Sequence, residues 1–205
     1  MASSRGDWAA LVLEAEGVAT SAVELAALSE PELPSLIRYL AERPVLPFQY
    51  LSLHAPSKAR EMSELELIDL LHGLSPRVDA IVVHPDTLVD VEAWGKLGRR
   101  LVLENMDTRK ALGQTAESLA DYFDVLHEAR LCFDVAHAWA VDPTMAEGEA
   151  ILDRFGARLR QLHISSLDAE QHHVPLTVEH ERLFGPLLDR CRDVPWILEA
   201  PPRRD

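Results

Sequence analysis

The chain has 205 residues, 47% of them hydrophobic and 26% charged, with 20 Lys and Arg against 34 Asp and Glu and a formal net charge of −14. That length suits one domain, 1–205, with a sizeable core, and the negative balance works against nucleic acid and anionic membranes as partners. Cys132 and Cys191 are the only cysteines, so a disulfide framework is excluded; two scattered thiols suit a reducing, cytoplasmic setting.

In chain order, residues 8–16 have a helical look, and the first apolar run is AVELAAL at 22–28. A proline-dense stretch at 31–47 carries helical content between its prolines. Next come FQYLSLH (48–54), AIVVH (80–84), RLVLEN (100–105), RLCFDV (130–135), LRQLHIS (159–165) and PWILEA (195–200). Each is short and nearly continuously apolar, as strands covered on both faces are. Helical patterns fill the intervals. Residues 63–74 open with Ser63 and Glu66, a capping box, before a stripe of Leu67, Leu70, Leu71 and Leu74. Residues 115–128 start at Thr115, and 144–157 read as another capping box from Thr144 to Glu147. The last helix, 177–191, includes Leu183, Leu187 and Leu188. Strands alternating with helices predict an α/β fold with a parallel sheet. No GxGxxG or GxxxxGK[ST] follows a strand, so nucleotide-binding open sheets lose support. No GxSxG is present for serine-triad chemistry.

The chemistry gathers at the strand ends. His54, His84, Glu104, Asp134, His163 and Glu199 each end an apolar run, at intervals of 30, 20, 30, 29 and 36 residues, and His137 follows Asp134 by three. In a (β/α) barrel all strands point their carboxyl ends to one mouth, where active sites sit. His, Asp and Glu are ligand types for Zn²⁺, Mn²⁺ or Fe²⁺. Any one of them alone is more simply a satisfied polar residue; six in succession beside buried strands are costly without a role. DAEQHHVPL (168–176) adds Asp168, Glu170, His172 and His173 on a loop. Lys58, Arg60, Arg109 and Lys110 also follow strands and are candidates for a substrate phosphate or carboxylate, although solvated loops account for them as well. His72, His127 and His180 fall in predicted helices and read as surface histidines. Trp139 reads as packing.

Together SLHAP, VVHPD, LVLEN, FDVAH, LRQLHIS, HHVPL and ILEAP resemble the xylose-isomerase-like TIM-barrel superfamily, over roughly 22–200. That superfamily includes sugar isomerases and epimerases and the endonuclease IV type of apurinic-site nuclease. The resemblance to the isomerases implies one main metal on Glu104, Asp134, His163 and Glu199, with Glu104 and Glu199 shuttling a proton. The resemblance to endonuclease IV implies three zincs. His54 and His84 would hold the first, with Glu104 bridging; Asp134, His163 and Glu199 would complete the second. His137 would hold the third with a D-x-H loop, which here reads Glu170-Gln171-His172, with Asp168 nearby and His173 as an alternative to His172. The seven runs leave the first barrel strand unmatched, as in an open barrel, one completed by a homodimer partner, or a chain shortened at its start.

The expectation is a metal-dependent enzyme with one to three divalent ions per chain and a small-molecule substrate. A di- or trinuclear phosphoester hydrolase comes first, because paired His54 and His84 serve no purpose in one-metal isomerisation. A one-metal sugar or keto-compound isomerase or epimerase is the alternative, and a non-catalytic metal-binding barrel the third.

Overall fold

The computed structural model describes residues 6–42, 46–58 and 61–201; Arg60 lies outside them. Seven strands form one sheet in the order β1-β2-β3-β4-β5-β6-β9, and a two-stranded ribbon pairs β7 with β8. The described residues fall into two compact units, one built from those within 6–83, 87–102 and 125–129, the other from 84–86, 103–124 and 130–201.

In the first unit, α1 (Trp8–Glu16) starts on Asp7, whose side chain accepts the Ala10 N–H. β1 (Ala22–Ala26), β2 (Tyr50–His54) and β3 (Ala80–Val83) run parallel, with Leu25 opposite Leu53 and Leu53 opposite Ile81. β2 and β3 are buried along their whole length, as continuous apolar runs require. α2 (Leu33–Glu42) is the helix between the prolines, burying Leu33, Leu36 and Leu40. α3 (Glu64–His72) has the predicted Ser63–Glu66 capping box. Its buried stripe is Leu67, Ile68 and Leu71, followed by Leu74, whereas Leu70 is exposed. With Leu71 at the centre of the buried face, Leu67 and Ile68 lie within about 60° of it on either side, whereas Leu70 is about 100° away. Short α4 (Val91–Trp94) is tied to α3 by the Glu64 carboxylate, which accepts from Val89 N, Asp90 N and Trp94 Nε1.

β4 (Leu101–Glu104) is wholly buried. In the second unit, β5 (Arg130–Asp134), β6 (Leu159–Ile164) and β9 (Trp196–Leu198) run parallel, with Asp134 opposite His163 and His163 opposite Ile197. α5 (Ala116–Phe123) begins on Thr115 as predicted, and its Phe123 packs on Phe155 of α7 (Ala146–Phe155) at 4.6 Å between ring centroids. The predicted Thr144–Glu147 capping box is not formed. Met145, in the left-handed region, is the N-cap; Asp142 accepts the Glu147 N–H instead, and the Glu147 carboxylate accepts from Ala116 N.

α6 (Val135–Val141) grows directly out of β5, with Asp134 as its N-cap. β7 (Ser166–Leu167) and β8 (His173–Val174) form a small antiparallel ribbon where a loop was expected. α8 (Val178–Arg190) buries His180, Phe184, Leu187 and Leu188. His180 is therefore not a surface histidine. Its Nδ1 is 2.8 Å from Ser166 Oγ, and its ring lies between Trp139 and Phe184. His72 and His127 are exposed as expected. Among the described residues, no helix is long and apolar enough to cross a membrane.

Candidate metal centre

Glu104 is the last residue of β4 and is 1% exposed. Its Oε1 lies 3.1 Å from His163 Nδ1 and 3.5 Å from His137 Nδ1, and its Oε2 lies 3.3 Å from His84 Nε2. A strand end delivers this carboxylate because the β4 backbone bonds are consumed in the sheet and the chain then turns away. Asp134 ends β5 in the same manner, and its Oδ1 caps α6 by accepting the His137 N–H at 2.8 Å. That cap fixes His137 one helical step away, with Nδ1 3.5 Å from Asp134 Oδ2.

The residue after Glu104 organises this region. Asn105 Nδ2 donates to the Asp134 carbonyl, and Asp134 N donates to Asn105 Oδ1. The Asn105 carbonyl stands 2.9 Å from His137 Nδ1. Nδ1 therefore carries the ring proton in the neutral imidazole, and Nε2 presents its lone pair. His54, at the end of β2, has the same arrangement, with Nδ1 3.0 Å from the Ala55 carbonyl. His54 is buried and stands opposite Val82 in the β2–β3 register.

On β6, His163 is fully buried and also faces Glu199, with Nδ1 3.3 Å from Oε1. Glu199 Oε2 is 2.8 Å from His173 Nδ1, which Ser165 Oγ also reaches at 2.8 Å. Two groups of possible ligand atoms result, each with its atoms within 4.8 Å of one another: Glu104, Asp134, His163 and Glu199, and Asp134, His137 and His173. Asp134 belongs to both.

Charge is concentrated here among buried and partly buried groups. Burial raises the Asp134 carboxyl to about 7; His137 opposes this, and Glu199 and Glu104 add to the rise. Burial works against the His173 cation, yet the hydrogen bond and charge of Glu199 lift that imidazole to about 9. Burial pushes Glu199 upward too, but His163 and His173 hold it well below the ordinary carboxylate range. Protons shared among carboxylates and imidazoles supply the positive charge, and the same field attracts a divalent cation.

Asp168, Glu170 and His172 form a separate, exposed trio at the tip of the β7–β8 ribbon. Asp168 Oδ1 accepts from Glu170 N and His172 N, and Oδ2 is 3.3 Å from His172 Nδ1, so this carboxylate shapes the turn. It is His173, the next residue, that reaches Asp134 and His137. Lys58 is exposed after β2. Lys110 pairs with Asp86 at 2.7 Å. Arg109 is bound to Asp107 through Nε at 2.8 Å and through its terminal nitrogen.

Asn105, Asp107 and Gln161 were missed from the sequence. Asp107 is buried, and its Oδ2 is 3.6 Å from His137 Nε2. Against the upward push of burial, the Arg109 hydrogen bond keeps its carboxyl below the ordinary range. The available signal was position: Asn105 and Asp107 lie one and three residues past the Glu104 strand end.

The family model for the xylose isomerase-like TIM barrel matches residues 88–204, more than half of the chain. The chain belongs to this family. Solved structures agree on the fold. The crystal structure of AsfvAP:AG is 13% identical with a TM-score of 0.60, over 97% of this chain and 84% of that one. A xylose isomerase-like TIM barrel protein from Mycobacterium smegmatis, in complex with magnesium, is 13% identical with a TM-score of 0.58, over 95% and 83%. The family 2 AP endonuclease from Brucella melitensis is 14% identical with a TM-score of 0.54, over 98% and 88%. No curated protein matches the chain. The α/β fold with seven strands in its main sheet agrees with the TIM-barrel expectation.

Proposed function

We propose that this family member is a metal-dependent hydrolase with a di- or trinuclear centre, acting on a phosphoester or related small substrate. One observation carries the reading. Glu104 turns Oε1 to His163 and Oε2 to His84, at 3.1 and 3.3 Å. A carboxylate with each oxygen facing a different histidine is placed to bridge two cations.

The donors fit such ions. Asp134 Oδ2 and His137 Nε2 are buried with no hydrogen-bond partner among the described residues, a costly state that a cation relieves. Nitrogen and carboxylate oxygen together suit Zn²⁺, Mn²⁺ or Fe²⁺. The magnesium complex of the Mycobacterium smegmatis protein and the endonuclease activity in the Brucella melitensis protein's name support the reading.

Glu104, Asp134, His163 and Glu199 would hold one ion; Asp134, His137 and His173 would hold a second; His84, with Glu104, would hold a third. Glu170 and His172 stay in the proposal only as outer residues of the ribbon. Ions held by these residues would supply stabilisation of developing charge on substrate oxygens and a more acidic water. The protein's own part is to fix the ligands through Asn105 and, through His163 and His173, to keep Glu199 ionised. Arg109, held in place by Asp107, is assigned to an anionic group of the substrate. The net charge of −14 favours a small substrate over a nucleic-acid duplex.

A second reading rests on the group Glu104, Asp134, His163 and Glu199, which by itself is a full set for one ion with two glutamates to exchange a proton. It predicts an isomerase or epimerase of a sugar or keto compound. Assaying the Mn²⁺-, Zn²⁺- or Co²⁺-loaded protein on phosphomonoesters, phosphodiesters and ketoses separates the two. Phosphoester hydrolysis supports the first reading. Ketose proton exchange without hydrolysis selects the second, and turnover of neither class overturns both.

A further inference from the structure

Gln161 and His163 are two residues apart on β6, so their side chains leave the strand on the same face. Both are fully buried. Gln161 Nε2 lies 3.0 Å from His163 Nε2. On the other side of the ring, Nδ1 lies 3.1 Å from Glu104 Oε1 and 3.3 Å from Glu199 Oε1.

A neutral imidazole has one N–H and one lone pair, so the contacts at its two nitrogens must agree. With the Gln161 amide N–H donating to Nε2, the ring proton is on Nδ1 and is donated to Glu104. A cation among the carboxylates needs the Nδ1 lone pair instead, which puts the proton on Nε2. A buried Nε2–H then needs an acceptor. The Gln161 amide supplies one through its oxygen, after a half-turn about its last torsion. An apolar residue would fill the same core position and serve neither state.

We propose that Gln161 is a positioning residue whose amide oxygen holds His163 in the Nε2–H tautomer and so presents Nδ1 as a metal ligand. This rests on the metal-centre reading above. Carboxamide and carboxylate share the required oxygen acceptor; a thioether sulfur accepts only weakly. Gln161→Met therefore removes the interaction at nearly constant size, and Gln161→Glu retains it.

The test combines ¹⁵N-edited histidine-ring spectra with Zn²⁺ affinity by chelator competition, on the wild type, Gln161→Met and Gln161→Glu. The His163 signals are assigned by their loss in His163→Gln. In the wild type, Zn²⁺ should move the His163 proton from Nδ1 to Nε2. Gln161→Met should weaken Zn²⁺ binding by about 10- to 100-fold, the usual effect of losing an outer-shell partner, and Gln161→Glu should restore it. Unchanged affinity and tautomer in Gln161→Met overturn the inference while leaving the metal centre standing. If Gln161→Met fails to fold, the wild type alone decides: a Zn²⁺-loaded chain with the proton still on Nδ1 overturns it. A wild type that takes up no metal overturns the metal-centre reading, and the inference with it.

Discussion

Asn105 and Asp134 clamp each other in both directions: the Asn105 amide donates to the Asp134 carbonyl at 2.9 Å, and the Asp134 N–H donates to the Asn105 side-chain oxygen at 2.7 Å. One side chain thus fixes the backbone of a candidate ligand, and its own carbonyl orients His137. Asn105→Ala strands two buried backbone groups, at about 1–3 kcal/mol each. We expect a loss of about 2–6 kcal/mol in urea unfolding and weaker metal binding. A variant as stable as the wild type would show that the clamp carries little.

The histidine that best distinguishes the two functional readings is His84. In a multinuclear hydrolase, His84→Ala removes a direct ligand. Phosphoester turnover should then fall by more than the 10- to 100-fold typical of outer-shell changes, with metal content lower by about one equivalent. In a one-metal isomerase that variant stays mostly active, because the four-ligand group is untouched. Metal content and turnover measured on the same preparations check this.

Gly113 has φ +79, and an added Cβ would come within 2.9 Å of Pro85 Cγ and 3.2 Å of Met106 Cγ. Its carbonyl also accepts the Met106 N–H. Gly113→Ala combines positive-φ strain with overpacking, for an expected destabilisation of about 1–3 kcal/mol. Because Pro85 follows His84, metal affinity should fall as well. Equilibrium unfolding and chelator competition measure the two effects.

Burial holds His180 below the ordinary imidazole value of 6.5, with Glu179 opposing. The folded state therefore binds the proton less readily than the unfolded state. Its stability contribution is present above the unfolded value and is lost as pH falls through and below it. His180→Gln removes this titration. Between about pH 7 and pH 5 the wild type should lose more stability than the variant. Parallel slopes would contradict the assignment.

The ligand types at the strand ends were legible because a polar residue closing a buried run stands out against its neighbours. Glu104, Asp134, His163 and Glu199 emerge this way, and the structure brings all four together. Gln161 was hidden because it sits inside the run, where nothing local separates a core amide from a strand residue. Asn105 acts through the backbone of a residue 29 positions away, a pairing that no periodicity announces. His180 was misread although its stripe with Phe184, Leu187 and Leu188 has helical spacing; the leucines at 183 and 187 drew attention instead. Glu170 and His172, expected as ligands, stand with Asp168 in an exposed group of ligand-type residues at the turn that Asp168 shapes.

The most direct test is the metal content per chain, by elemental analysis of protein purified without chelators or a histidine tag. The account predicts two or three equivalents of zinc, manganese or iron, falling to about one in Glu104→Gln, because the shared carboxylate is lost while Asp134, His137 and His173 remain. A wild type that holds no metal even after incubation with Zn²⁺ or Mn²⁺ would contradict it.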